Sequence, residues 1–200
     1  YNNDGKSIFY VHDATTNERV KNADGSYETT TAPEDKDRTI VGNAQPKLNL
    51  GWNNTFNYKN WNMTLFFEGV FGNKIFNAMR AQYNFVGNVA GGKNVLAEIA
   101  TMQKITDAAY SDAPSDRYLE NGSYFRLSSF QLGYTFPAKF FNGWIKNMQL
   151  YGTVNNVFTI TGYKGIDPEV NLGGIVPGID WRSSRFPHNR SYIIGVKVNF

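Results

Sequence analysis

The chain has 200 residues, no cysteine and a formal net charge of +3. Without cysteine it can be neither a disulfide scaffold nor a Cys-based zinc module. The small charge is spread over the chain without a basic run, so the sequence shows no basic patch that would indicate nucleic-acid binding. Mean hydropathy is −0.45, and no apolar stretch approaches the roughly 20 residues of a membrane helix. The sequence begins at Tyr1 without a signal peptide, so we expect a mature, processed or shortened polypeptide.

Aromatic residues make up 16% of the sequence, and they alternate with polar residues in several separate segments. This pattern creates more apolar faces than a small soluble sandwich could cover. In a membrane β-barrel the lipid itself solvates the apolar face. The composition therefore favours a lipid-facing sheet.

Five segments alternate apolar and polar residues with a period of two, which is typical of β-strands with one apolar side. In chain order they cover residues 48–58, 61–71, 129–136, 148–160 and 191–200. A weaker candidate runs from Ser7 to His12. Aromatic residues near the segment ends predict an interfacial girdle of Tyr58, Trp61, Tyr134, Phe136 and Phe200. The opposite faces predict a wet interior lined by Asn49, Asn53, Asn57, Thr64, Glu68, Gln131, Gln149, Asn155, Lys197 and Asn199.

The connections between these segments alternate in length. A tight turn follows Tyr58 and a modest connection follows Pro137, whereas the connections before Lys47, over 72–123 and over 161–190 are long. Outer-membrane barrels have short periplasmic turns and longer extracellular loops. If the C-terminus is periplasmic, both short turns lie in the periplasm and all three long loops lie outside. Because bacterial membrane barrels have at least about eight strands, we expect further strands upstream on a longer chain.

The long middle connection contains one segment with helical spacing. Between Asn94 and Tyr110, apolar residues recur at helical intervals, which predicts a short amphipathic helix within an extracellular loop. Gly72 to Lys74, followed by Ile75, Phe76 and Met79, predicts a further helical turn.

Several motifs resemble the C-terminal signature of the SusC/RagA-like proteins of the Bacteroidetes outer membrane. They are Gly122–Leu127 leading into Gln131–Pro137, Leu150–Thr159, Tyr163–Asn171, Phe186–Pro187, and the earlier blocks Ile40–Pro46 and Phe71–Asn77. The resemblance covers about residues 38–200. The terminal Phe200 is similar to the residue by which such barrels are recognised for insertion.

The resemblance implies an all-β fold, namely the C-terminal strands of a larger, 22-stranded, transmembrane antiparallel β-barrel in a Gram-negative outer membrane. Residues 1–37 fit the family pattern poorly, so we interpret residues 1–46 from the alternation as a weak strand plus an extracellular loop. Residues 47–200 are expected to form transmembrane strands and extracellular loops of one barrel domain. The implied function is TonB-dependent uptake of oligosaccharides or peptides. The implied partners are outer-membrane lipid, a SusD-like surface lipoprotein and TonB, the last through an N-terminal part absent from these residues.

The last long connection holds the candidate ligand-binding residues. Carboxylates, guanidinium groups and a flat aromatic ring are the groups that bind sugars or peptides. The candidate residues that carry such groups are Asp167, Glu169, Trp181, Arg182 and Arg185. The alternative is that Asp167 caps a turn stiffened by Pro168, and that the loop packs against the lipoprotein or neighbouring loops.

We predict no catalytic site, because His12 and His188 lie in different connections without a nucleophile pattern and are expected on surface loops. The acidic run from Glu34 to Asp37 is expected to be solvated. No cofactor is expected. Asn2–Gly5 and Ala23–Gly25 are turn signals that could form half of a calcium loop, although the ligand spacing of an EF-hand is missing.

Two other functions stay open from the sequence. One is a soluble carbohydrate-binding β-sandwich, and the other is a passive porin-like barrel. The chain is not predicted to be an enzyme under any of the three hypotheses.

Overall fold

The fold is seen in a computed structural model, which describes residues 6–84, 87–95, 97, 115–141, 144–169, 177–180 and 187–200. The strands are β1 (Phe9–Tyr10), β2 (Thr29–Thr30), β3 (Leu48–Tyr58), β4 (Trp61–Phe71), β5 (Lys74–Phe76), β6 (Leu119–Asn121), β7 (Tyr124–Pro137), β8 (Asn147–Thr161) and β9 (Ser191–Asn199). The helices are α1 (Ala78–Tyr83) and α2 (Gly87–Ala90), with 3₁₀ turns at Asp35–Asp37, Asp116–Tyr118 and Ala138–Phe140. None of the helices in these ranges is long and apolar enough to cross a membrane.

A five-stranded antiparallel sheet is the main element. Its order is β3-β4-β7-β8-β9, and each pair is antiparallel. The five long strands predicted from alternation are thereby confirmed, with β7 starting five residues earlier than the predicted 129. All five reach or approach the roughly 9–11 residues that a tilted strand needs to cross a bilayer.

The two faces of this sheet differ as the alternation predicts. Large apolar side chains on one face are more than 40% exposed, among them Leu48, Trp52, Phe56, Phe158, Tyr192, Ile194 and Val196. The other face carries the polar residues, such as the cross-strand pair Thr55 and Thr64. A contiguous apolar surface of this kind marks an interaction site in a water-soluble protein. On a membrane strand it is the lipid-facing side.

An irregularity divides β7 and β8 into two halves. On β7, Phe66 pairs with Ser129 and Phe67 pairs with Leu127, so Ser128 is bulged out. On β8, the pairing moves from Asn155 to Phe158, and Asn156 has a φ of 53°. One extra residue reverses the side-chain alternation. Before the bulge the odd-numbered residues of β7 face the apolar side, whereas after it the even-numbered residues do.

The chain divides into two compact units, and the sheet belongs to the unit formed by Asn43–Ile75, Glu120–Gly178 and Ser183–Phe200. The other unit comprises Tyr1–Gly42, Phe76–Leu119 and Ile179–Arg182. Within it, β1 pairs with β2, so the predicted strand from Ser7 to His12 is reduced to two residues plus an isolated bridge at His12. The shortening reflects the chain reversing at once between Asp13 and Glu18, whose backbone groups are hydrogen-bonded.

Two expectations for this first unit have different outcomes. The acidic run from Glu34 to Asp37 is largely exposed, as predicted. The prediction of a surface position for His12 is wrong. His12 is only 7% exposed, and its backbone N–H donates a hydrogen bond to Asp37 Oδ1 at 2.9 Å.

The predicted helical turn starting at Gly72 is wrong at its beginning. Ile75 lies fully buried in β5, and the helix starts after Asn77, whose side chain accepts a hydrogen bond from the Arg80 N–H. Met79 does lie in α1. The predicted helix over residues 94–110 falls almost entirely outside the described residues, and Asn94 and Val95 are not helical.

Candidate functional site

The candidate site is built around Arg126, near the end of the sheet from which the long connections leave. Arg126 pairs with Glu68 on β4 and with Thr159 on β8, so the three side chains share the polar face. The Arg126 side chain is 3% exposed. A buried guanidinium needs hydrogen-bond partners for its donors, because a buried charge without partners is strongly destabilising.

Those partners come from the connection that follows β8. Arg126 Nη2 donates to Asp167 Oδ1 at 2.8 Å, and Nη1 donates to Glu169 Oε2. Nε donates to Thr159 Oγ1 at 2.9 Å, and Glu68 Oε1 lies 3.9 Å from Nη1. Three carboxylates therefore surround one guanidinium. We name Glu68, Arg126, Asp167, Glu169 and His188 the arginine cluster.

His188 completes the arginine cluster from the residues just before β9. Its Nδ1 lies 2.8 Å from Asp167 Oδ2 and 3.5 Å from Glu169 Oε2. Its backbone N–H donates to the same Asp167 oxygen at 3.3 Å. Asp167 thus joins two stretches of chain, 161–169 and 187–190, to the wall of the sheet.

Burial alone raises the pKa of Asp167, because it disfavours the charged form. Hydrogen bonds from Glu169 N–H and from the His188 side chain and N–H oppose this, together with the charge of Arg126. The net result is a pKa below its ordinary value. Asp167 is consequently ionised at neutral pH and serves as a permanent acceptor.

Local sequence shapes the loop so that Asp167 reaches Arg126. The Asp167 side chain accepts the N–H of Glu169 at 3.0 Å, which forms an Asx turn around Pro168. Upstream, Tyr163 is buried against Ile75, and a side chain at Gly165 would collide with the Tyr163 ring at 2.3 Å. Glycine is therefore required at this close approach.

Two further hydrogen bonds fasten the start of the same loop to the strands. Thr161 Oγ1 donates to the Ser123 carbonyl at 2.9 Å, and the Lys164 N–H donates to Glu120 Oε2 at 2.8 Å. The loop is held along residues 161–169 by backbone, aromatic and ionic contacts together. The arrangement is suited to hold a loop in one position.

Asp167, Glu169 and His188 also offer three potential metal-ligand atoms within 4.8 Å of one another. Arg126 already donates to the Asp167 and Glu169 oxygens that a cation would use. The positive guanidinium therefore takes the place of a cation, and we assign no metal to these residues. Of the two turn signals, Asp24 accepts two hydrogen bonds from Ser26, whereas Asn2–Gly5 lie outside the described residues.

The five candidate ligand-binding residues have different positions. Asp167 and Glu169 are brought together in the arginine cluster, where Asp167 is 8% exposed. Trp181, Arg182 and Arg185 lie outside the described residues. Direct contact of the five with a ligand stays a prediction. His188 is half-exposed, in agreement with a surface loop, but it was not expected beside Asp167.

The sequence reasoning did not find Arg126 as a site residue. Extending the alternation of residues 129–136 backward places Arg126 on the same side as Phe130, which is the apolar face. The bulge at Ser128 reverses that parity and turns Arg126 inward, opposite Glu68. The available signal was chemical rather than periodic: a charged residue on the lipid face of a membrane strand is costly.

Four curated proteins and sixteen solved chains match this chain strongly. It is 30% identical over 194 residues to the TonB-dependent receptor P3 of Formosa agariphila, covering 88% of this chain and 18% of that protein. It is 26% identical to the TonB-dependent receptor SusC of Bacteroides thetaiotaomicron, covering 76% of this chain and 15% of that protein. The chain therefore spans less than a fifth of the length of these relatives. No family model matches.

Among solved structures, the chain is similar to the RagAB peptide importer in its closed-closed state, with a TM-score of 0.74 and 23% identity. The open-open state gives a TM-score of 0.73 and 22% identity. These matches cover 98% and 99% of this chain and 21% of the solved chains. At this identity the likeness establishes the fold alone, which is that of part of a β-barrel wall.

Proposed function

Because the chain belongs to the family of SusC/RagA-like TonB-dependent receptors, we propose that it forms part of the barrel wall and extracellular loops of an outer-membrane nutrient importer. The cargo we propose is oligosaccharide or peptide, taken up with energy supplied through TonB. The location we propose is the outer membrane of a Gram-negative bacterium.

One structural observation carries this proposal: the five-stranded sheet is apolar and exposed on one face and polar on the other. The apolar face includes Trp52 and Ile194, which are 54% and 83% exposed. In water such a face would promote association, whereas lipid solvates it without a protein partner. The polar face has the Asn, Gln and Thr composition of a wet lumen.

The arginine cluster gives the loop end of the sheet its proposed role. It holds residues 161–169 and 187–190 in one position against the wall, at the end that we place outside the cell. A loop positioned in this way can present side chains to a ligand at low entropic cost. Glu169, whose side chain is one-third exposed, together with Trp181, Arg182 and Arg185 would then contact the cargo.

The partners follow from the family and not from these residues. A SusD-like lipoprotein would cover the extracellular end, and TonB would act through residues outside this chain. The relatives are receptors and importers rather than enzymes, which supports assigning no catalytic activity.

Uptake by intact cells tests the proposal. Cells with and without the full-length gene are offered a mixture of labelled oligosaccharides and a mixture of labelled peptides, each with and without a proton uncoupler. We expect gene-dependent accumulation of one mixture, abolished by the uncoupler, because TonB transmits the energy of the proton gradient. Gene-dependent uptake that is unchanged by the uncoupler would indicate a passive porin.

Fractionation separates the importer from a soluble module. The full-length protein should remain in the membrane until detergent is added and should migrate faster on gels when unheated. A protein found in the aqueous fraction, with the same mobility before and after heating, would indicate the soluble carbohydrate-binding β-sandwich.

A further inference from the structure

The end of the sheet with the short turns carries an apolar groove on its exposed face. The groove has a volume of about 390 Å³ and is lined by Trp61, Leu132, Tyr134, Phe136, Leu150, Tyr151 and Gly152. Gly152 opens it, because Gly152 pairs with Leu132 and Ile194 yet has no side chain between them. A Cβ at Gly152 would meet no atom closer than 4.0 Å. None of the seven lining residues carries a charge, so the groove offers an apolar surface to an alkyl chain.

Exposed lysines surround the same end. Lys59 lies in the turn between β3 and β4, and Lys139 and Lys146 lie in the connection between β7 and β8. These two connections are adjacent because Trp61 pairs with Tyr134. Strands are spaced by about 4.8 Å, so the connections are about 10 Å apart. The three lysines thus lie in two neighbouring connections at one end of the sheet.

No acidic side chain offsets these lysines. The sequence has no Asp or Glu over residues 56–63, 132–151 or 191–200, the stretches that form this end of the sheet. At the opposite end, three carboxylates surround Arg126. No acidic side chain within these stretches therefore pairs with the three lysines.

The aromatic residues set the depth of the lysines in a bilayer. Lys59 Nζ lies 5.3 Å from the centre of the Tyr58 ring, and Lys139 Nζ lies 5.7 Å from that of Phe140. Trp144 is 86% exposed in the same connection. Aromatic rings locate at the level of lipid head groups, and lysine stems extend along apolar surface while the ammonium stays in the polar layer.

We propose that this end of the sheet is a binding site for an anionic phospholipid. One acyl chain occupies the groove beside Gly152, and the phosphate lies between Lys59, Lys139 and Lys146. The inference rests on the proposed orientation, in which short turns face the periplasm and thus the phospholipid leaflet. Clustered basic residues beside an apolar pocket are the chemistry by which membrane proteins retain anionic lipids.

Native mass spectrometry of the full-length protein in detergent tests the site. The delipidated protein is titrated with phosphatidylglycerol, cardiolipin, phosphatidylethanolamine and lipid A. We expect the two anionic phospholipids to bind at least about tenfold more tightly than phosphatidylethanolamine, since each lysine near an anionic group adds attraction. The triple variant K59Q/K139Q/K146Q should lose that preference. Gly152→Leu, which fills the groove, should weaken all phospholipids by about tenfold.

The control is K36Q/K93Q/K164Q, which removes three exposed lysines elsewhere and should leave the preference unchanged. Equal binding of anionic and zwitterionic phospholipid by the unmodified protein overturns the inference, as does preferential binding of lipid A. A heat-dependent gel shift is measured for every variant. Where the shift persists without a lipid preference, the site is disproved and the importer proposal stands. Absence of the shift in the unmodified protein would count against both.

Discussion

The two ends of the five-stranded sheet carry charge in opposite ways, although the strands between them are of one kind. At the long-loop end, Arg126 is buried and paired with acidic residues, and the pairs fasten a loop to the wall. At the short-turn end, Lys59, Lys139 and Lys146 are exposed among aromatic rings. The strands form the same kind of wall along their whole length. The long-loop end is suited to attach a loop, and the short-turn end is suited to contact the membrane interface.

The largest expected effect comes from removing the charge at the long-loop end. Arg126→Met leaves Asp167 and Glu169 clustered without their cation, and losing one partner of a buried ion pair costs about 3–5 kcal/mol. We expect the attachment of residues 161–169 to weaken by that amount. Hydrogen exchange of these residues measures the free energy of opening.

Two substitutions sharpen the Arg126 test. Arg126→Lys keeps the charge but not the forked donor geometry, so it should give an intermediate loss. Arg38→Met removes a guanidinium that is 80% exposed and should have no effect on residues 161–169. Unchanged exchange in Arg126→Met would mean that the ion pairs do not hold the loop.

The next effect concerns packing on the polar face at the short-turn end. A side chain at Gly195 would meet the Tyr151 ring at 2.3 Å, on the strand pair β8 and β9. Gly195→Val should therefore destabilise the barrel by about 1–3 kcal/mol through overpacking. The temperature at which the folded gel band converts to the unfolded band reports the loss.

The neighbouring glycine on the opposite face is the matched control for Gly195. Gly152→Val introduces the same side chain into open space, so the conversion temperature should change little. Replacing Tyr151 by Ser should rescue the Gly195→Val variant. Equal losses for the two glycine variants would show that the polar face is not packed as described.

A smaller effect is expected for the aromatic girdle. Trp61 and Tyr134 are cross-strand neighbours whose ring centres lie 4.8 Å apart in an edge-to-face arrangement. A double-mutant cycle with alanine at both positions should give a coupling of about 0.5–1.5 kcal/mol. Additive effects of the two substitutions would indicate that each ring contacts lipid and not its neighbour.

The smallest effect is expected from pH in the neutral range. Because the pKa of Asp167 lies below its ordinary value of 3.8, the stabilisation it provides is complete above that value. It is lost only as pH falls through the lowered pKa, when the carboxylate takes up a proton. Exchange protection of residues 161–169 should persist from pH 8 to 5 and decline below pH 4. Loss of protection already above pH 5 would show that the Asp167 carboxylate does not control the loop.

The strands were predictable because one face of the sheet contacts lipid and the other contacts water, so apolar and polar residues alternate along each strand. Residues 48–58, 61–71 and 148–160 were placed correctly within one or two residues, since a slip of one position would exchange lipid and water faces. The two short connections, at Lys59 and after Pro137, were also predicted from the sequence. The family resemblance was confirmed by the relatives that match the chain.

The candidate site was only partly predictable. Asp167 and Glu169 were selected from their loop chemistry, but their partner Arg126 lies more than forty residues away, beyond a bulge that sequence periodicity cannot place. The prediction for His12 was wrong because a position in a connection without a nucleophile pattern indicates a surface loop, whereas contacts within the first unit bury this residue. Contacts with residues distant in the sequence set both outcomes, and the alternation of apolar and polar residues indicates neither.

Labelling along β8 tests most directly that this sheet is a membrane wall. The sequence has no cysteine, so single cysteines can be introduced from Met148 to Asn155, spin-labelled, and compared for collision with oxygen, which enters lipid, and with a water-soluble nickel chelate. We predict oxygen contact at even positions and nickel contact at odd positions, alternating with a period of two. Nickel contact on both faces, or no alternation, would contradict the membrane-wall account.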